Sequence, residues 1–344
     1  MLLRVFVCLI VSAPVIASGA QLDVRLVTDE PEAVLALLAK KKSNQTITEA
    51  DWERIFSSEG YQRLKQRELS MQRPFEDTEF RKFVLSDDLA QRAAALEETL
   101  AKWKRADLTR SGELALAYLP SGARIRAKVY PVIKPRDNSF VFDVKTDPAI
   151  FLFLDPTVSQ KKFENTLAHE LHHIGYGGGC PAPETTAAIA KLSPNAQKVL
   201  RWIGGFGEGF AMLAAAGGPS VHPHDVSPEA DRSRWDKDLM NFNTDLKKVE
   251  SFFASVLEGK LTDEQINRQG FSFFGVQGPW YTVGWRITSL IEETFGKKRL
   301  IEVMCDQRLL LATYNEAATI YNRKAKDPLA LWSDAVVTLK YALP

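Results

Sequence analysis

What the chain lacks narrows the field first. It has no excess of charge: 44 Lys and Arg stand against 43 Asp and Glu in 344 residues. A basic patch for nucleic acid or an anionic membrane surface is therefore not expected. After the first twenty residues no apolar run reaches transmembrane length. No internal repeat and no low-complexity segment occurs. Cysteine is scarce, with only Cys8, Cys180 and Cys305, and Cys8 lacks the small-residue context of a lipoprotein cleavage site. An oxidising compartment would permit Cys180 and Cys305 to pair; the simpler reading leaves them structural or free, and a thiolate ligand at Cys180 is conceivable. Histidine is rarer than its usual share, at five residues. Composition is otherwise ordinary and globular, 45% hydrophobic and 25% charged.

Residues 1–20 read as a secretory signal peptide. Arg4 is a minimal positive start, Val5 to Ile16 is apolar but short, and Ala17-Ser18-Gly19-Ala20 supplies small residues for cleavage after Ala20. A secreted or periplasmic location follows, with no stable membrane insertion after cleavage. Residues 21–116 form a region expected to be mostly helical. Pro31–Lys40, a piece begun by Thr48-Glu49-Ala50-Asp51, and Asp87–Lys104 carry apolar residues at helical spacing. From 117 to 344 a second region begins with a strand pattern at Arg124–Ile133, where Pro131 suggests an edge or a bulge. Ser139–Val144 follows as a second strand, and Ala149–Leu154 is a continuous apolar run suited to a buried strand. Helices are then expected from Ser193-Pro194 towards Ala214, across 236–258, from Gly278-Pro279 to Phe295, around Leu300–Tyr314 and around Pro328–Lys340. Residues 216–233 read as loop.

Between the strands and the Ser193 helix lies His169-Glu170-Leu171-His172-His173, an H-E-x-x-H pattern. Phe163, Leu167, Leu171 and Ile174 recur at helical spacing around it. Thr157 and Gln160 offer a capping box, and Gly175 and Gly177–Gly179 offer stop signals. One helical turn separates His169 from His173, so both project from one face and can hold one Zn²⁺ at about 2.0–2.1 Å. Glu170 lies beside them, free to act as general base towards a water. His172 points away from the pair and reads as structural. His222 and His224, in His-Pro-His-Asp, read as loop residues.

A catalytic zinc usually takes a third protein ligand. The pattern H-E-x-x-H-x-x-G-x-x-H is excluded, because Tyr176 and Gly179 occupy its last two positions. A dinuclear helical-bundle site would need a second E-x-x-H, and there is none. The best candidate is Glu208, in Gly204-Gly205-Phe206-Gly207-Glu208-Gly209 on the next long helix. So many glycines in a helix, at about 1 kcal/mol each relative to alanine, imply close packing, here expected against His169 and His173. Glu184 and Asp225 are the rivals.

With these residues the chain resembles the gluzincin metallopeptidases, which pair H-E-x-x-H with a glutamate on a downstream helix. More closely, it is similar to an uncharacterised bacterial family of candidate zinc-dependent peptidases. The similarity rests on His-Glu-Leu-His-His-Ile-Gly (169–175), Gly-Glu-Gly-Phe-Ala (207–211) and Tyr-Thr-Val-Gly-Trp (281–285). Residues 149–215 carry most of it. Met212 departs from those gluzincins that place an aspartate four residues after the third ligand, so the histidines' supporting partner is unassigned. The resemblance implies one Zn²⁺ per chain on His169, His173 and Glu208. It implies peptide-bond hydrolysis with Glu170 as base. Tyr281 is the candidate oxyanion donor, with His172, His222 and His224 as competitors. It implies an α+β, mainly α, zincin-like fold with a small mixed sheet beside the H-E-x-x-H helix and further helices on both sides. The expected partner is a peptide or protein substrate, held by edge addition to the strand before the metal helix. Trp202, Trp235, Trp280 and Trp285 could line the cleft or fill the core. The alternatives are a zinc hydrolase of a non-peptide amide or ester and an inactive zincin-like binding protein.

Overall fold

The computed structural model describes residues 21–338; the expected signal peptide lies outside them. Strand β1 (Leu22–Leu26) leads into α1 (Asp29–Lys42), α2 (Glu49–Phe56), α3 (Glu59–Ser70), α4 (Asp77–Val84), α5 (Asp87–Trp103) and α6 (Leu108–Leu116). The chain then runs through β2 (Ile125–Val132), β3 (Phe140–Phe142) and β4 (Ala149–Phe153) to α7 (Gln160–Gly179). It continues with α8 (Pro183–Ile189), α9 (Pro194–Ile203), a 3₁₀ turn at Gly204–Phe206 and α10 (Gly207–Ala216). The rest is α11 (Glu229–Met240), α12 (Phe242–Leu257), α13 (Asp263–Ser272), α14 (Pro279–Phe295), α15 (Lys297–Cys305), α16 (Gln307–Asn322) and α17 (Asp334–Val337). The fold is mainly helical with one small mixed sheet. No helix among the described residues is long and apolar enough to cross a membrane.

The sheet order is β1-β2-β4-β3, with β1, β2 and β4 parallel and β3 antiparallel on the edge. β1 (Leu22-Asp23-Val24-Arg25-Leu26) alternates apolar and polar residues but was not among the expected strands; it pairs with β2 from Leu22↔Ile125 to Leu26↔Val129. Packing therefore runs straight across residue 116. Two expectations about strands are corrected. Pro131 sits in a central strand, not at an edge. Lys128 donates to Pro148 on the β4 side, while Val129 accepts from Val27 on the β1 side. Backbone groups alternate sides along a strand, so the Pro131 nitrogen faces the β1 side just beyond its last rung, where no ladder bond is needed. β4, the strand before the metal helix, is enclosed by β2 and β3; β3 is the edge.

Two apolar cores result. One joins the helices α1–α6 to Val129, Ile150 and Leu152 of the sheet and to Phe163, Leu167, Leu171 and Ile174 of α7. Each of those four α7 side chains contributes about 2 kcal/mol by burial. The other is built by α9, α10, α12 and α14–α17, including Phe210, Phe253, Trp280 and Ile287. Tyr176, near the end of α7, packs on both. Helix α7, which carries the H-E-x-x-H pattern, thus forms the seam between the cores. Trp202, Trp235 and Trp280 are buried, and only Trp285 of the four tryptophans is partly open.

The start of α7 differs from the sequence pattern. Its N-cap is Ser159, whose hydroxyl accepts from the Lys162 amide at 3.1 Å. Thr157 belongs to a preceding turn, where the Asp155 carboxylate holds its amide and hydroxyl at 2.8 Å. Gly175 does not stop the helix, which ends at Gly179, the last of the expected stop signals. A Cβ on Gly175 would stand 2.3 Å from Leu119 Cδ1, so this glycine allows close packing inside the helix. Cys180 caps the end and forms a disulfide with Cys305, Cα–Cα 4.8 Å. That bond ties the metal helix to the end of α15. Helix α11 begins at Glu229, inside the span read as loop, and α13 was unmarked.

Candidate metal centre

On α7, His169 and His173 face the start of α10. His169 Nε2 lies 3.2 Å from Glu208 Oε2, His173 Nε2 lies 3.3 Å from the same oxygen, and the two Nε2 atoms are 3.0 Å apart. The three side chains are only 12%, 28% and 19% exposed for His169, His173 and Glu208 respectively. A tetrahedral zinc with bonds of about 2.0–2.1 Å sets its ligand atoms about 3.3 Å apart. The triangle has nearly that size, and its donor types are those zinc takes, so the residues fit the ion. Among the described residues this is the group of His, Cys, Asp and Glu that can hold a metal. Glu184 is exposed on α8 and Asp225 pairs with Arg232 at 3.3 Å; neither joins it.

The electrostatics favour positive charge at the centre. Burial works against a charged His173, but the negative charge of Glu208 and its hydrogen bond outweigh that and push the imidazole up to about 9. Burial likewise disfavours an ionised Glu208, yet the two facing imidazoles hold its carboxyl well below the usual carboxylate range. A cation can replace the shared proton at this point without altering the donor set.

α10 packs on α7 as expected, with Phe210 against His172 and Asn165 Nδ2 donating to the Ala215 carbonyl, but the glycines do not make that contact. The segment is not one long helix: α9 ends at Ile203, the glycines form a 3₁₀ turn, and Glu208 stands in the first turn of α10. The glycines serve contacts elsewhere. A Cβ on Gly209 would be 2.0 Å from the Trp285 backbone nitrogen and 2.2 Å from the Gly284 carbonyl carbon. One on Gly205 would meet the Trp280 ring at 2.7 Å. α10 therefore crosses α14 backbone to backbone, and that crossing turns Glu208 towards the histidines.

The same crossing brings Tyr281 in. Its ring stacks on His169 with centroids 6.3 Å apart and planes 13° from parallel. Burial, then the charge of Glu208 and Glu170, raises its phenol well above the ordinary range. The hydroxyl stays protonated at neutral pH. His172 turns the other way, with its ring edge on Phe210 at 4.5 Å, and burial drives its pKa far down. His222 pairs with Asp236 at 2.9 Å, and His224 contacts Ser227 Oγ at 3.0 Å. Among the described residues, His169 Nδ1 is buried without a partner, so no side chain replaces the support that Met212 cannot give. Only Gly284, within the Tyr-Thr-Val-Gly-Trp segment, could have signalled the α10–α14 crossing.

The profile of one protein family, DUF5700, described as "putative zinc dependent peptidase", matches residues 32–322. No curated protein and no solved structure matches the chain.

Proposed function

The chain belongs to this family, and we propose that it hydrolyses peptide bonds at the His169–His173–Glu208 centre. The observation that carries the reading is the convergence of two imidazole nitrogens and one carboxylate oxygen, all within 3.3 Å of each other. Bound there, zinc supplies Lewis-acid polarisation and a lowered water pKa. His169, His173 and Glu208 hold it, one ion per chain. Glu170, the residue after His169 on the same helix, takes the proton of the attacking water and delivers it to the leaving amine. Tyr281 remains a phenol and donates its proton in a hydrogen bond to the oxygen on which negative charge develops. Export from the cytoplasm is supported by the Cys180–Cys305 bond, since such bonds persist in oxidising compartments.

The test is Glu170→Gln. It should keep one zinc per chain by elemental analysis and lose peptide hydrolysis by about 10²- to 10⁴-fold. Wild-type protein that holds zinc and cleaves small amides or esters but no peptide would replace this reading with the non-peptide hydrolase. Zinc without any turnover would replace it with the binding protein.

A further inference from the structure

Tyr176 lies one turn beyond His173 on α7, and its hydroxyl is held by a distant part of the chain. It donates to the Met304 carbonyl and accepts from Gln307 Nε2 at 3.4 Å. Met304 belongs to the last turn of α15, and Gln307 is the first residue of α16. Between them, Cys305 is joined to Cys180, four residues past Tyr176. The Tyr176 ring meets Phe210 edge-on at 6.3 Å and stacks beside His172 at 6.1 Å. Phe210 stands two residues after Glu208, and His172 directly precedes His173. Gln307 makes a second contact on the other side of Glu208. A Cβ on Gly204 would stand 3.2 Å from Gln307 Nε2. The amide therefore rests on the first residue of the 3₁₀ turn that leads to Glu208.

These contacts close a ring around the metal ligands. It runs from His173 along α7 to Tyr176, through Gln307 to Gly204, and along the turn to Glu208. Glu208 Oε2 then returns to His173 Nε2 at 3.3 Å. A buried phenol needs a hydrogen-bond partner, and the Met304 carbonyl alone would satisfy it. Gln307 does something further: it ties the helix that bears the histidines to the turn that delivers the carboxylate. Metal affinity depends on how firmly such supporting residues hold the ligand atoms at coordination spacing.

We infer that Tyr176 and Gln307 are positioning residues, acting as one brace that sets the distance between His173 and Glu208 for the metal. This rests on the metal centre of the proposed function and not on its peptide substrate. Neither residue touches the ion; both act through the segments that carry its ligands.

Zn²⁺ affinity is measured by chelator competition in wild type, Tyr176→Phe, Gln307→Met and the double variant. Tyr176→Phe keeps the ring on Phe210 and His172 and removes only the hydroxyl. Gln307→Met keeps a side chain of similar length against Gly204 and removes the donor. Each single change should weaken zinc by about tenfold. The double variant should lose no more than about tenfold, because both changes cut the same link. Co²⁺ in place of Zn²⁺ gives a second readout, since its visible absorption bands report coordination geometry; they should shift in every variant. A tyrosine with a merely structural role would lower the urea midpoint and leave zinc affinity and the Co²⁺ bands unchanged. That result overturns the brace, and so do losses that simply multiply in the double variant. Wild-type protein that takes up neither metal overturns the centre itself and the brace with it. Tenfold losses in a protein that cleaves no peptide support the brace and remove the peptidase reading alone.

Discussion

Gly209→Ala tests how the third ligand is aimed. On helix propensity alone, replacing an interior glycine by alanine gains about 1 kcal/mol. Here the new carbon would sit 2.0 Å from the Trp285 nitrogen and 2.2 Å from the Gly284 carbonyl carbon. Ordinary contact is about 3.5 Å, so α10 and α14 must part by roughly 1.5 Å. Both neighbours are backbone, and neither can rotate away. Overpacking of this kind costs about 1–3 kcal/mol or more, which turns the propensity gain into a net loss of about 2 kcal/mol. Glu208 precedes Gly209 and moves with it, so zinc affinity should fall at least about tenfold. Gly207→Ala is the control, since nothing lies within 4 Å of its Cβ position; it should be neutral or stabilising by up to about 1 kcal/mol. Urea unfolding of the metal-free proteins gives the stabilities, and competition with a chromophoric chelator gives the affinities. A Gly209→Ala protein as stable as Gly207→Ala, with unchanged zinc affinity, would refute the idea that the backbone crossing positions Glu208.

Other consequences follow from the same geometry. His173 is raised above its ordinary 6.5 to about 9. In the metal-free chain its proton therefore adds stability that is fully present below pH 6.5 and disappears as pH rises through about 9. Zinc must displace that proton, so binding at pH 7 should release about one proton per ion, and less as pH approaches 9 and above. Calorimetry in buffers of different ionisation enthalpy measures this, and zero release at pH 7 contradicts the charge assignment. Cys180 and Cys305 are separated by 125 residues. A loop of that length gives the bond about 4–5 kcal/mol in the chain-entropy account. Cys305→Ser should lower stability by a large part of this in denaturant unfolding, and unchanged stability would show that the bond does not constrain the unfolded chain.

The legible part of the site is the part encoded locally. His169, Glu170 and His173 lie within one helical turn and a half, where spacing alone fixes their common face. β2 and β4 announced themselves by composition. The rest depends on contacts between distant segments. β1 alternates apolar and polar over only five residues, and its partner β2 lies about a hundred residues away in sequence, so the pairing could not be read locally. Pro131 was misjudged because its tolerance depends on where a neighbouring strand ends. The glycines around Glu208 correctly implied a close approach but not its partner, which is Gly284 on α14.

The position of the centre at the seam leads to a last prediction. His169 and His173 ride on a helix whose apolar face belongs to the sheet-side core, whereas Glu208 begins a helix whose buried Phe210, Leu213 and Ala214 belong to the other. A zinc ion bound by all three adds to the contacts that already join the two cores there, among them His172 against Phe210 and Asn165 Nδ2 donating to the Ala215 carbonyl. Removing zinc should therefore loosen the 3₁₀ turn Gly204–Phe206 and the first turn of α10, whose far side the α14 crossing holds. β2 and β4, buried by apolar contacts that do not involve the metal, should keep their protection. Hydrogen exchange of the metal-free and zinc-loaded protein distinguishes the cases. Faster exchange confined to residues 203–210 and the last turns of α7 is the expected result. Equal acceleration throughout the sheet would mean that zinc stabilises the molecule as one cooperative unit, and the centre would then be a structural keystone and not a local clasp between two separately stable cores.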